Sequence, residues 1–124
     1  MSTTTEFIDY IFDLLRPLEP LNRRRMFGGH CIYRDGLPFA IIFDDTLYLK
    51  VDDSNREAFA AHGIHDSIRA FDKDPSMTIS YYEVPADIME DREELCDWAR
   101  KAFEVALRAK SPKKGRQKTV AGKP

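Results

Sequence analysis

Residues Arg23–Asp52, RRRMFGGHCIYRDGLPFAIIFDDTLYLKVD, decide the fold. Asp35-Gly36 parts Ile32-Tyr33 from Phe39–Phe43. An Asp-Gly pair between apolar runs is a strong hairpin signal, because both residues tolerate the positive φ that tight antiparallel connections require. Asp44-Asp45 parts Phe39–Phe43 from Leu47–Val51. It is a weaker turn former, since Asp enters the left-handed region less readily than Gly. Phe39–Phe43 is apolar at every position and too short for a typical helix, so it predicts a central, buried strand. Leu47, Leu49 and Val51 alternate with Tyr48 and Lys50, the pattern of a half-buried strand. Together these segments predict a meander of three antiparallel strands. Gly28-Gly29 permits a bend, a bulge or a close approach of two backbones. Met26-Phe27 reads as a further short strand or as the lead-in to the first.

On the N-terminal side, Phe7, Ile8, Ile11, Leu14 and Leu15 recur at helical spacing, with Thr3 and Glu6 placed as a capping box. Pro17 and Pro20 close that helix. On the C-terminal side, Asp53 or Ser54 caps a short helix that turns Ala58, Phe59 and Ala61 inward and ends at Gly63. Ser67–Phe71 and Met77–Val84 predict a second pair of strands joined by Asp72–Ser76. Pro85 and Asp87 mark a turn or a short helical piece. Leu95, Trp98, Ala99, Ala102, Phe103 and Ala106 then form an apolar helical stripe behind a capping box at Asp91 and Glu94. Trp98 is expected in the core with the rest of the stripe. The expected order is α, three or four β, α, two β, α: an α+β domain over residues 1–110, in which helices cover an antiparallel sheet.

Residues 111–124 hold Lys113, Lys114, Arg116, Lys118 and Lys123 and no acid. The rest of the chain has 14 basic against 21 acidic residues, so a basic tail follows an acidic body. Nearly without apolar groups, the tail is expected to be disordered. Its charges, Lys113, Lys114, Arg116 and Lys118 foremost, suit either weak, salt-sensitive contact with nucleic acid or simple solubility. It has no aromatic side chain to stack on a base. No run is long and apolar enough for a membrane helix, and the N-terminus lacks the basic and apolar regions of a signal peptide. Cys31 and Cys96, in a chain with no export signal, suggest reduced thiols in the cytosol.

Candidate chemistry is sparse. His62 and His65 straddle Gly63, and His30 adjoins Cys31, which falls short of three or four ligands converging on one point. Gly28-Gly29 lacks the Lys and Ser/Thr of a phosphate loop. Both cysteines sit in apolar patterns, as packed thiols do. No catalytic, cofactor or metal site is expected. Arg23, Arg24 and Arg25 suit contact with a partner, since arginine is enriched at interfaces. So do Tyr48, Tyr81 and Tyr82, because neighbouring strand residues face opposite ways and one of Tyr81 and Tyr82 should meet solvent.

An ordered set of short motifs adds to this. It comprises Arg25-Met26-Phe27-Gly28-Gly29, Ile32-Tyr33, Asp35-Gly36, Leu47–Asp52, Asn55, Phe59, Ser80–Pro85 and Leu95–Ala99 with Trp98. Over roughly Met1 to Lys110 the chain resembles the N-terminal domain of the TfoX/Sxy family, regulators of competence genes in bacteria. The resemblance implies an α+β fold of the secretion-chaperone-like kind and a regulatory, non-enzymatic role with no catalytic residues. It also implies transcriptional regulation through protein partners such as the cyclic-AMP receptor protein. The chain itself is expected to be a monomer or homodimer. Longer members add a helical C-terminal domain where this chain has a short tail. The rival expectation is a non-specific nucleic-acid binder that uses the tail.

Overall fold

In the computed structural model, residues 4–26, 28–67 and 80–110 are described. They form α1 (Thr5–Leu14), a 3-10 turn (Arg16–Leu18), β1 (Asn22–Met26), β2 (Gly29–Arg34), β3 (Leu37–Phe43), β4 (Thr46–Lys50), α2 (Arg56–Ala60), β5 (Tyr81–Glu83), α3 (Ala86–Met89) and α4 (Arg92–Lys110). The strands make one antiparallel sheet in the order β1-β2-β3-β4-β5. This is the expected α+β class, with the Phe39–Phe43 run in the middle strand. Both turns fold as the residue types require. Asp35 and Gly36 have φ of 52° and 78°, and Asp44 and Asp45 have φ of 51° and 55°. Asp45 also ties down the chain start, its carboxylate accepting from the Thr4 amide at 2.8 Å.

The sheet register sorts the paired strand residues onto two faces, with one irregularity in the β2–β3 pair that leaves Phe39 without a partner. Arg23, Ile32, Ala40, Leu49 and Tyr82 lie in one row across all five strands, and Arg25, His30, Ile42 and Leu47 in another. Ile32, Ala40, Ile42, Leu47, Leu49 and Tyr82 belong to the main core, where α4 packs on β3 and β4 with Leu95, Ala99, Ala102 and Phe103. The row Arg24, Cys31, Ile41, Tyr48 and Glu83 lies on the opposite face, where Cys31, Ile41 and Tyr81 form a second, smaller cluster with Tyr33, Phe43 and Tyr48. Gly29 supplies the close approach that its pair permits, since a side chain there would run into the Ile42 carbonyl oxygen.

Local caps differ from the expected ones. Thr4 caps α1, its hydroxyl accepting from the Phe7 amide at 3.2 Å. Asn55, not Asp53 or Ser54, precedes α2, and its buried side chain turns back to bond the Asp52 amide at 2.9 Å and the Lys50 carbonyl at 3.1 Å. These bonds leave α2 without a side-chain cap, because a side chain engaged by Lys50 and Asp52 is not available to the helix. Ala58 and Ala61 face solvent, since a helix as short as α2 buries a single contact, Phe59. Gly63, with φ 83°, ends the turn and allows the Ile64 amide to reach the Phe59 carbonyl at 3.0 Å. The Asp91 cap holds as expected, accepting from the Glu94 amide at 3.2 Å.

The expected second strand pair falls partly on residues 68–79, which lie outside the described residues. Within them, Tyr81–Glu83 is a strand and Ser67 bridges to Tyr82. Trp98 is only half-buried: its ring packs on Phe59 at 4.8 Å and on His62 at 5.5 Å, at the rim of the core. No described helix is long and apolar enough to cross a membrane.

Candidate functional site

Arg23, Arg24 and Arg25 lie inside β1, which begins at Asn22 and so extends well before the short strand allowed at Met26-Phe27. Polar residues can occupy an edge strand because one long side and part of each face meet water; all three arginines are exposed. The pleat divides them. Arg23 and Arg25 continue the two helix-side rows, and Arg24 projects on the opposite face, its guanidinium 5.6 Å from the centre of the Tyr33 ring. None of the three forms an ion pair with a described residue.

The strand beside them carries two groups that the charge run did not disclose. His30 pairs with Arg25 in the register, and its Nδ1 is buried without a hydrogen-bond partner. Arg34, two strand steps past Ile32 on the same face, lies 4.8 Å over the Phe103 ring, and its Nε is likewise buried and unpartnered. Period-two spacing along His30, Ile32 and Arg34 would have placed them on the face of Arg23 and Arg25. Finding it needed the β1–β2 register, which an arginine run does not advertise.

Partial burial and the positive charges of Arg23 and Arg25 hold the His30 imidazole below the ordinary histidine range. In an NMR titration of its ring protons, His30 should therefore titrate below about 6.5, the unfolded value, and R25Q should move it upward. The sign for stability follows. A pKa depressed by folding favours the folded state above the unfolded pKa, and that advantage is lost as pH falls through the folded value. An unchanged His30 titration in R25Q would separate the two side chains.

The tyrosines do not stand in solvent as expected. Tyr81 and Tyr82 are both buried. Tyr82 packs edge-on against Phe59 at 5.6 Å, and Tyr81 sits under the Lys50 ammonium at 5.0 Å. Burial pushes the Tyr81 hydroxyl well above its ordinary pKa. Tyr48 is half-buried, and its hydroxyl is raised by burial and then by Glu83 and Asp44. The structure therefore does not assemble Tyr48, Tyr81 and Tyr82 into an exposed patch with the arginines.

Elsewhere several polar groups have structural partners. Burial alone would raise the Asp52 carboxyl, but bonds from the Ser54 hydroxyl at 2.6 Å and amide at 2.8 Å, with Arg108, bring it below the ordinary value. Arg108 also donates to the Ser54 hydroxyl at 2.5 Å, fastening the end of α4 to the β4–α2 corner. His62 Nδ1 lies 3.3 Å from the Asp87 carboxylate. Burial raises both thiols, Cys31 and Cys96, above their ordinary pKa, and the Cys96 thiol donates to the Leu14 carbonyl at 3.3 Å. Lys113, Lys114, Arg116 and Lys118 lie outside the described residues.

No curated protein matches the chain. A family model described as the TfoX N-terminal domain matches residues 13–106. That span runs from the last turn of α1 to the inward face of α4, and so takes in the whole described sheet. With well over half of its 124 residues matched, and with the α+β fold of a five-stranded antiparallel sheet and helices, the chain belongs to the TfoX N-terminal domain family.

Proposed function

We propose that the protein is a regulator of the TfoX/Sxy type that works in the cytosol by binding other proteins, not by catalysis. Its role is transcriptional regulation of the competence kind, and its partner a transcription factor such as the cyclic-AMP receptor protein. The observation that supports this best is the β1 strand. Three exposed arginines without an ion pair to any described residue are placed on a rigid sheet edge in an otherwise acidic body. Such groups add little to stability and are free to bind. Catalysis draws no comparable support. Thiols raised by burial are poor nucleophiles, and His62 is engaged by Asp87.

Capture from native cytosol by the full chain, with and without nuclease, tests this. Partner proteins should survive nuclease treatment. Their complete loss would make nucleic acid the bridge and favour the tail residues Lys113, Lys114, Arg116 and Lys118. In that case DNA affinity should fall with salt at a log–log slope of about −4.5, from roughly −0.9 for each phosphate neutralised by the five tail cations.

A further inference from the structure

We propose that the outer edge of β1 accepts an extended, acidic segment of a partner protein as a sixth strand of the sheet. Arg23 and Arg25 would meet its carboxylates on the helix side, and Arg24 on the opposite side. The proposal rests on the reading that this chain acts through protein partners, and it names the mode and the chemistry of one such contact.

Geometry comes first. β1 ends the strand order, and its principal packing neighbour is β2. In an antiparallel pair, alternate residues turn their N–H and C=O groups away from the neighbour strand. The edge of β1 thus presents both donors and acceptors, the template an added strand needs. A phosphate backbone can use the donors but only repels the carbonyl acceptors, whereas a peptide strand satisfies both.

Charge then selects the strand. A second copy pairing antiparallel through its own β1, in the register centred on Arg24, would set Arg24 against Arg24 and Arg23 against Arg25. Like charges placed directly opposite are destabilising. The arginines therefore guard against self-association while favouring an acidic segment. Such a segment gains charge-assisted, bidentate bonds at each arginine. Arg34, its Nε unpartnered on the same face, extends the cationic ledge inward from the edge, beside the unpartnered Nδ1 of His30.

The full chain, labelled with nitrogen-15, is titrated with a short capped peptide that alternates glutamate and valine. Saturable amide shifts centred on Arg23 to Met26 are expected. A lysine–valine peptide should cause none. A peptide that keeps the glutamates but replaces the valines by proline loses strand donors and should bind roughly tenfold weaker. The R23Q/R25Q double variant changes exposed side chains, so it should fold normally and bind roughly tenfold weaker or less tightly still. Equal binding of the proline peptide would reduce the effect to bulk charge and overturn strand addition. Shifts centred away from β1, or a single-stranded oligonucleotide that binds the same amides more tightly than the peptide, would overturn it too. If the peptide fails to bind while cytosolic partners are still captured, the edge is wrong and the partner reading stands. If the peptide binds as described but no partner is captured, the edge is upheld and the regulatory reading falls.

Discussion

Phe39→Ala should destabilise the protein by about 3–5 kcal/mol, the usual range for emptying a buried phenyl site. Phe39 is fully buried in the middle strand of the sheet, and its ring meets Phe103 of α4 edge-on at 6.1 Å. The substitution removes the ring that joins the sheet to its main covering helix. Phe39 sits where the β2–β3 register shifts, between the paired residues Pro38 and Ala40, and its ring is enclosed by the main core. The loss is a large share of the roughly 5–15 kcal/mol available to a typical small protein. It should appear as a lower denaturation midpoint with an unchanged slope. Trp98→Ala, at the rim of the same core, should cost less. A midpoint unmoved by Phe39→Ala, or moved more by Trp98→Ala, would contradict the packing described for α4.

Gly29→Ala should be the most damaging replacement among the described glycines, at about 1–3 kcal/mol or beyond. Its backbone does not need positive φ, so the cost is one of space. The added methyl would press on the Ile42 carbonyl oxygen and come within 3.2 Å of the Phe43 ring. The obstructing oxygen is main chain in the middle strand, so relief requires β2 and β3 to part locally. Amide exchange across the β2–β3 ladder should accelerate more than exchange in α4. Wild-type exchange and stability in Gly29→Ala would remove the close approach from the account.

The meander was legible because its signals are local. Asp35-Gly36 and Asp44-Asp45 sit between apolar runs of strand length, and all four residues take the positive φ that joins antiparallel strands. The α4 stripe was legible for the same reason. β1 was not, because Asn22-Arg23-Arg24-Arg25-Met26 shows no apolar alternation. It becomes a strand only because β2 offers it a partner. Tyr81 and Tyr82 misled in the opposite direction. Strand alternation correctly sends them to opposite faces, but both faces of this sheet bury aromatic rings, one in each cluster. Asn55 illustrates a third case. Its hydrogen-bond partners on Lys50 and Asp52 precede it by a few residues, yet only the β4–α2 corner decides that it serves them and not the helix. Of the candidate site, the arginine run was visible in the sequence. Its position on an edge, and its company with His30 and Arg34, depended on register.

The central claim is that this domain works through the β1 arginines on proteins. Capture from nuclease-treated cytosol by the wild-type chain and by an R23Q/R24Q/R25Q variant, run side by side, tests it most directly. All three side chains are exposed, so the variant should match the wild type in its thermal melt. Wild-type protein should retain a partner, and the variant should lose it roughly tenfold or more, as expected when several charge-assisted bonds are removed. Equal capture by the two proteins would contradict the claim.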